Sequence, residues 1–431
     1  MIRTSHVNNK GYAALVVLFL VTGVGVVMAS AIAGAMITKQ KMLRAVVASA
    51  QSYYVAESGI EDAILRVINP AIPFTLSENL TLAGGTATTI LSLVDNIMTI
   101  TTEGNVNNYI RNVEVSLEPN TVGASFNYGI QVGDGGIEFT KAGARIEGNV
   151  YSNGSILGFH NTEITGSATV AGVGGTIDDF YVWGDTYSDI IKDTEVDGTA
   201  NYNTNSGGND FNGPTVTPLD PIPLPIDMPI DDTTINNWKS QAEAGGIISG
   251  NYTIDNEVVT LGPVKIDGNL TIKGASVVSM LGTVWVTGNI ILQNGGVLEL
   301  DDGYGSDSGI IVADGTITLL NNFVVCGSEG WNEGSPRACN VADDSYIMLL
   351  STAIGENVIG VGNNADMLSA ILYAPYGEVE LANNIALRAV TAYNVEVINN
   401  VEIIYDGGLV NLNFSSGPGG GWGINNWREV E

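Results

Sequence analysis

Residues 12–37 form a run of about 26 residues without a charge, the length that a bilayer-spanning helix needs. As a helix they rise roughly 39 Å, enough to cross a membrane with some tilt. Arg3 and Lys10 precede the run, and Lys39, Lys41 and Arg44 follow it. With cations on both flanks, the positive-inside rule does not choose an orientation. Nothing else in the 431 residues is comparable. One N-terminal helix therefore carries the rest of the chain to one side of a membrane.

The helix is expected to outlast its apolar stretch. Met42, Val46, Ser49, Tyr53, Ala56, Ile60, Ala63 and Val67 recur every third or fourth position, the stripe of an amphipathic helix. Asp62 and Arg66 are spaced to pair on the wet face. No breaker intervenes until Pro70 and Pro73. The pattern predicts one rod over residues 12–68, about 85 Å long. Its start has three readings. A short basic leader is removed after Gly11; or a secretory signal peptide is cut after Ala35, where Ala33-Gly34-Ala35 meets the small-residue rule; or the anchor stays whole. A cut after Ala35 would sever the rod midway, which counts against the second reading.

Net charge is −30, from 16 basic and 46 acidic residues. Without residues 1–11, which hold Arg3 and Lys10, 14 basic residues remain and the charge is −32. That excess argues against nucleic-acid partners, whose phosphates need Lys and Arg. It argues equally against docking on anionic lipid, and it favours solubility. Only 14% of residues are charged, and Gly numbers 54. With many β-branched residues, this composition predicts a mainly β region beyond the helix. A hydrophobic share of 45% excludes disorder.

Residues 75–119 alternate in the β manner. Residues 98–101 and 113–117 read as strands, with a turn at 105–108, and predict a small antiparallel sheet against the later half of the helix. Beyond Gly123 short repeats appear: IEGNVY at 146–151, ITGSATV at 164–170, IDGNLTI at 266–272, VTGNIIL at 286–292, ADGTITL at 313–319, YGEVEL at 376–381 and a weaker copy at 393–398. Each is a Gly or Asn turn followed by alternating apolar residues. Copies stand roughly 17 to 27 residues apart, about one coil of a β-solenoid. One coil cannot bury its own apolar side chains; stacking makes the core continuous. Gly allows the tight corner, and Asn149, Asn269 and Asn289 are placed to stack as an amide ladder. A two-sheet sandwich with irregular strands is the alternative. The fold class expected is thus mainly β: a long N-terminal α-helix, a small antiparallel sheet, then a parallel β-solenoid of the right-handed type.

The expected divisions are a leader at 1–11, the helix at 12–68, the small sheet at 75–119, a first solenoid part at 123–213, a connector at 214–247, the main solenoid at 248–414 and a Gly-rich tail at 415–431. Residues 176–213 show no clear period and are expected to leave the solenoid as an irregular excursion. The prolines of 214–229 predict an extended segment. Asp231 and Asp232 are placed to cap a helix over 235–244, ended by Gly245-Gly246. The tail is expected to cap the last coil.

Cys326 and Cys339 predict a local disulfide outside the cytosol, stabilising by roughly 3 kcal/mol on the chain-entropy argument. Two thiols do not make a zinc site. No catalytic residue, resident metal or cofactor is expected. His160 sits in a turn without a nucleophile signature, and no phosphate-binding loop occurs. Asp178-Asp179, Asp343-Asp344 and Asp301-Asp302 with Asp307 lie in turns, where Asp bonds its own backbone. Asp301, Asp302 and Asp307 are a weak candidate for Ca²⁺, lacking the spacing of a known loop. The rival reading is a surface polysaccharide lyase or hydrolase, since solenoids can carry paired carboxylates on one face. The few solenoid cations, Lys141, Arg145, Lys265, Lys273, Arg337 and Arg388, speak against an Arg-assisted lyase.

Lys10-Gly11 before the apolar run, and YYVAESGIEDA at 53–63, resemble type IV pilins and pseudopilins, the second segment resembling minor pilins of the PilX type. The stretches at 238–246 and 401–406 resemble bacterial surface proteins that join such an N terminus to a β-helical ectodomain. The resemblance implies cleavage by a prepilin peptidase between Gly11 and Tyr12, with methylation of the new amine. Most major pilins carry Glu at the fifth mature position; Val16 stands there. Without it the subunit offers no carboxylate to a neighbour's amine inside an apolar fibre. The resemblance thus implies a minor or tip subunit, membrane-inserted in a single pass before assembly and at the cell surface in an extracellular fibre afterwards. Its implied partners are other pilin subunits through the N-terminal helix, the membrane, the peptidase, and a surface glycan or protein for adhesion.

Overall fold

The computed structural model describes residues 10–68, 77–82, 84–94, 97–119, 122–124, 126–159, 162–332, 338–340, 345–362, 364–407, 409, 412–415 and 422–430. The chain divides into two compact units, the second inserted in the first: Glu118–Gly423 forms most of the second, and Ile424–Glu431 returns to the first. Strands dominate, after one long helix.

Helix α1, Lys10–Ile68, is unbroken over 59 residues, about 88 Å. The first unit sets its later half against a sheet of β1 (Ser77–Leu82), β2 (Gly85–Val94), β3 (Ile97–Val106) and β4 (Tyr109–Pro119). These pair antiparallel in sequence order. Asn107 and Asn108 both take positive φ at the β3–β4 hairpin, as its two-residue turn requires. The seam is Ala48, Ser52, Val55, Ala56, Ile60 and Ala63 on the helix, over Ala87, Thr102, Val106 and their neighbours.

The buried stripe departs from the predicted one. Met42 and Val46 stay exposed, and Ser49 and Tyr53 are only half-buried. The cause is Gly104. A Cβ there would meet the Ser52 carbonyl oxygen at 2.1 Å and the Ala56 nitrogen at 2.6 Å, so sheet and helix backbones touch. Contact that close selects small residues and turns the helix away from the bulkier ones. The Ser52 hydroxyl donates to the Tyr109 carbonyl at 2.6 Å. On the wet side, Arg66 and Asp62 pair at 2.7 Å as expected.

The tail is a second correction. It does not cap a coil: Trp422–Val430 is the fifth strand of this sheet, beside β4. Arg428 donates twice to Glu114 Oε1, at 3.0 and 2.6 Å, and Arg111 to Glu429 at 2.7 Å. Opposite charges on neighbouring strands give this long-range pairing its register.

In the second unit three parallel ladders per turn make a solenoid. One ladder runs Arg145–Glu147, Glu163–Ile164, Tyr181–Val182, Glu195–Val196, Asp210–Phe211. The stretch expected as an irregular excursion is therefore regular coil. Thr176 pairs with Ile190, and Ile190 with Thr204, each fourteen residues on. Faces only two or three residues wide, bearing Asp, Asn and Thr, hide the alternation that betrays longer strands.

Stack order is not chain order. A short arm winds outward from Ile130–Phe139 to Thr215–Val216. A long arm starts at Ile247–Ser249 and winds back, until Val390–Val397 pairs with Ile130–Phe139 and Glu402–Ile404 with Arg145–Glu147. The first and last coils are thus neighbours in mid-stack. Where the chain enters and leaves, Val122–Ala124 and Leu412–Phe414 pair antiparallel.

The proline segment connects the far ends as a strap along the stack. Leu219 N–H donates to Asn203, Gly172 N–H to the Pro223 carbonyl, Tyr151 to that of Leu224, and Gln131 to that of Asp227. The Tyr373 hydroxyl then bonds the Ile230 carbonyl at 2.8 Å. Helix α2, Asp232–Ala244, follows, with Asp231 accepting from Thr234 N–H at 2.8 Å as its cap and Gly245 ending it. Its Trp238 is buried edge-on to Phe414.

Two glycine columns mark the corners. A Cβ on Gly184 would sit 2.6 Å from the Gly166 carbonyl oxygen, and one on Gly268 2.6 Å from that of Gly250. The asparagines behave differently from the amide ladder expected. Asn149, Asn269 and Asn289 each accept, through Oδ1, a backbone N–H of the next coil at 2.8–2.9 Å. Amide-to-amide stacking occurs at another corner, where Asn384 donates to Asn364 at 2.8 Å and Asn400 to Asn384.

Candidate functional site

Among the described residues, one helix is long and apolar enough to cross a membrane. Its first half is bare on every side: Tyr12 is 80% exposed, Phe19 70% and Met36 67%. A helix apolar all round has to be covered by lipid or by other helices. Its hydroxyls are already turned inward. Thr22 donates to the Leu18 carbonyl at 2.9 Å, Ser30 to Val26 at 2.7 Å and Thr38 to Gly34 at 2.9 Å. They therefore enter an apolar phase without unmet donors. Gly11 and Tyr12 lie in the first turns of the helix, and Val16 is 53% exposed. Residues 1–9 of the expected leader lie outside the described residues. Ala33-Gly34-Ala35 lies in mid-helix.

Beside the exposed apolar stretch, still within the first unit, is an open groove of about 570 Å³. Met42, Val46, Tyr53 and Tyr54 give it an apolar floor, and Tyr109, Arg111 and Glu429 form one edge. Arg111 is held by the Ser49 hydroxyl at 2.9 Å as well as by Glu429.

In the solenoid, Cys326 and Cys339 are bonded, with Cα atoms 5.3 Å apart. Both are buried, against Val297 and Val324. No three carboxylates, thiols or imidazoles gather as a metal site among the described residues. Asp301, Asp302 and Asp307 are not brought together: Asp301 caps a short 3-10 turn by accepting from Gly303 N–H at 3.0 Å, and Asp302 opens that turn. Burial raises the Asp307 carboxyl. His160, Arg337, Asp343 and Asp344 lie outside the described residues.

The other carboxylates are mostly engaged. Asp178 pairs with Lys192 at 2.7 Å, and Asp179 occupies a left-handed corner. Arg145 sits between Glu147 and Glu163 at 3.0 and 2.8 Å. Lys265 pairs with Glu243 and Lys273 with Asp255. Arg388 donates to the Leu368 carbonyl. These cations hold neighbouring carboxylates and a backbone carbonyl of the coils. The Tyr181 phenol donates to Asp197 at 2.6 Å; it is pushed up to about 12 by that bond, and Asp197 is held below the usual carboxylate range. Glu396 lies opposite Glu138 in the ladder. Its carboxyl is raised, first by burial and then by Glu378, Glu380, Glu138 and Glu356.

No protein-family model matches the chain, and no curated protein matches it. Among solved structures it is similar to the competence-associated pilin ComZ from Thermus thermophilus, at 11% identity over 89% of this chain and 97% of that one, with a TM-score of 0.23. At that score the likeness is too low to carry a fold or a function across.

Of the expected site residues, then, Tyr12 and Val16 line the exposed helix, and Cys326 and Cys339 meet. The aspartates of 301–307 serve a local turn. Sequence reasoning passed over Tyr181 and Trp183. Their signal was two aromatics two residues apart in a short strand, so that both face solvent.

Proposed function

We propose that this chain is a subunit of a type IV pilus-like fibre. It is inserted in the membrane by residues 12–37 as a prepilin, cut between Gly11 and Tyr12 by a prepilin peptidase, and methylated on the new amine. One observation carries the reading. A single unbroken helix is bare and apolar along its first half, while its second half is clamped to a sheet by residues as small as Gly59 and Ala56. That half-free, half-held helix suits lateral packing with equivalent helices, first in lipid and then in a fibre core.

Val16 supports a minor or tip place for the subunit. A neighbour's N-terminal amine would find no carboxylate here, and a buried unpaired charge is costly. The solenoid is the part displayed to the medium, for binding and not for catalysis. Edman sequencing of protein recovered from the native cell surface tests the reading. Tyr12 as residue one is expected; Met36 as residue one overturns it.

A further inference from the structure

In the short arm, Arg145, Glu163, Tyr181, Glu195 and Asp210 stack in register on successive strands. Two residues further on, at or just past the ends of the same strands, stand Glu147, Thr165, Trp183, Asp197 and Asn212. Ile146, Ile164, Val182 and Val196 between them are buried, so both columns face outward. Tyr181 and Trp183 lie mid-way along, ring centroids 5.3 Å apart and planes at 57°. Trp183 is 49% exposed. The coil geometry does not demand an indole there, since the coils on either side carry Thr165 and Asp197 in that column.

The surround is held in place. Tyr181 donates to Asp197 Oδ2 at 2.6 Å. Asn212 Nδ2 donates to Asp197 Oδ1 at 2.7 Å and to Glu195 Oε1 at 3.2 Å. The polar frame is therefore ordered before any ligand arrives, which lowers the entropic cost of binding. The carboxylate oxygens keep spare lone pairs for further donors. Flat apolar ring faces framed by fixed acceptors match a pyranose, which has an apolar C–H face and a rim of hydroxyl donors.

We propose that Tyr181 and Trp183 are a binding platform for a neutral glycan, with a sugar ring stacked on the indole and its hydroxyls donating to Asp197 and Glu195. Uronate and sulfated glycans are repelled by the same carboxylates. A basic peptide is the competing occupant, through cation–π contact with Trp183. The frame favours the sugar, because Glu147 and Glu163 in the same columns are already neutralised by Arg145.

The platform goes beyond the fibre reading and does not depend on it: a Met36 terminus would sink the fibre and leave the following test untouched. Full-length protein in a sugar-free zwitterionic detergent is titrated calorimetrically with cellohexaose, chitohexaose, maltohexaose and mannohexaose, with hexagalacturonate and hexalysine as charged controls. At least one neutral hexasaccharide is expected to bind saturably. Trp183→Ala weakens it at least about tenfold. Trp183→Thr, which copies Thr165 of the adjacent coil and so preserves the fold, does the same. Tyr181→Phe, which keeps the ring and frees Asp197, weakens it about threefold. Three results would each overturn the proposal: no neutral hexasaccharide binds at millimolar concentration; affinity is unchanged in Trp183→Thr; or hexalysine binds more tightly than every sugar.

Discussion

In the long arm, the coil from Val264 to Met280 buries Val264, Ile266, Leu270, Ile272, Val278 and Met280 in the main core. In the short arm, the coil from Ile190 to Asn201 buries Ile191, Val196 and Ala200, a separate small cluster. What the short coil lacks in apolar area it replaces with polar bonds between turns. Asp185 accepts from Thr199 N–H at 2.6 Å, Asn209 from Thr194 N–H at 2.8 Å, and Asn201 donates to the Thr186 carbonyl at 3.0 Å. A parallel β-stack can thus be closed by burial or by corner hydrogen bonds. Coil length decides which: a short coil spends most of its residues on corners.

The largest expected effect tests the difference in core. Leu319→Ala, deep in the long arm, should cost about 4 kcal/mol. Val196→Ala, equally buried in the short arm, should cost about 1.5 kcal/mol, two methyl groups' worth. Denaturant unfolding followed by circular dichroism measures both. Equal costs would break the comparison. The corners should behave alike in the two arms. Gly184→Ala and Gly268→Ala each drive a Cβ against backbone of the preceding coil, and each should cost about 2 kcal/mol. A large gap between them would mean that one arm yields to strain and the other does not.

The smallest effect concerns pH, and its sign differs between the arms. Glu396 is raised above its ordinary 4.5, so its ionisation opposes folding. That penalty is full above its folded value and fades as pH falls through it towards 4.5. Glu396→Gln should therefore raise the melting temperature at pH 7 and lose its advantage in acid. Asp197 is lowered below 3.8 by Tyr181 and Asn212, so its ionised form supports folding. That support is present above 3.8 and is lost as pH falls through the folded value. Asp197→Asn should lower the melting temperature at neutral pH and converge with the parent in strong acid. Melting curves across the acid range would sharpen or dissolve the contrast.

The same contrast explains what could be read in advance. Val286 to Leu292 and Ala313 to Leu319 alternate over strands long enough to show a period of two, so the long arm was legible as coils. Residues 176–213 obey the same ladders with faces of two or three residues, too few for a pattern to stand out. Along α1 the spacing of apolar residues was visible, but the face that is buried was not. Gly104 sits on another element, and its close approach to Ser52 and Ala56 rotates the contact. Tyr181 went unremarked for a similar reason: its partner Asp197 is two residues past its strand partner Glu195, in another coil.

By itself the amino-acid sequence determined the membrane-length helix, its continuation without a break, the mainly β character of the rest, and the Gly and Asn corners of the coils. Those are properties of residues near one another along the chain. Only the tertiary structure decided that the first and last coils meet, that a proline strap joins the distant ends, and that Trp422–Val430 closes the small sheet. Alternation fixes which side of a strand is buried, but not which strand lies beside it. Every coil offers its neighbours much the same row of backbone donors and acceptors, so stacking order is left to the path of the chain between them.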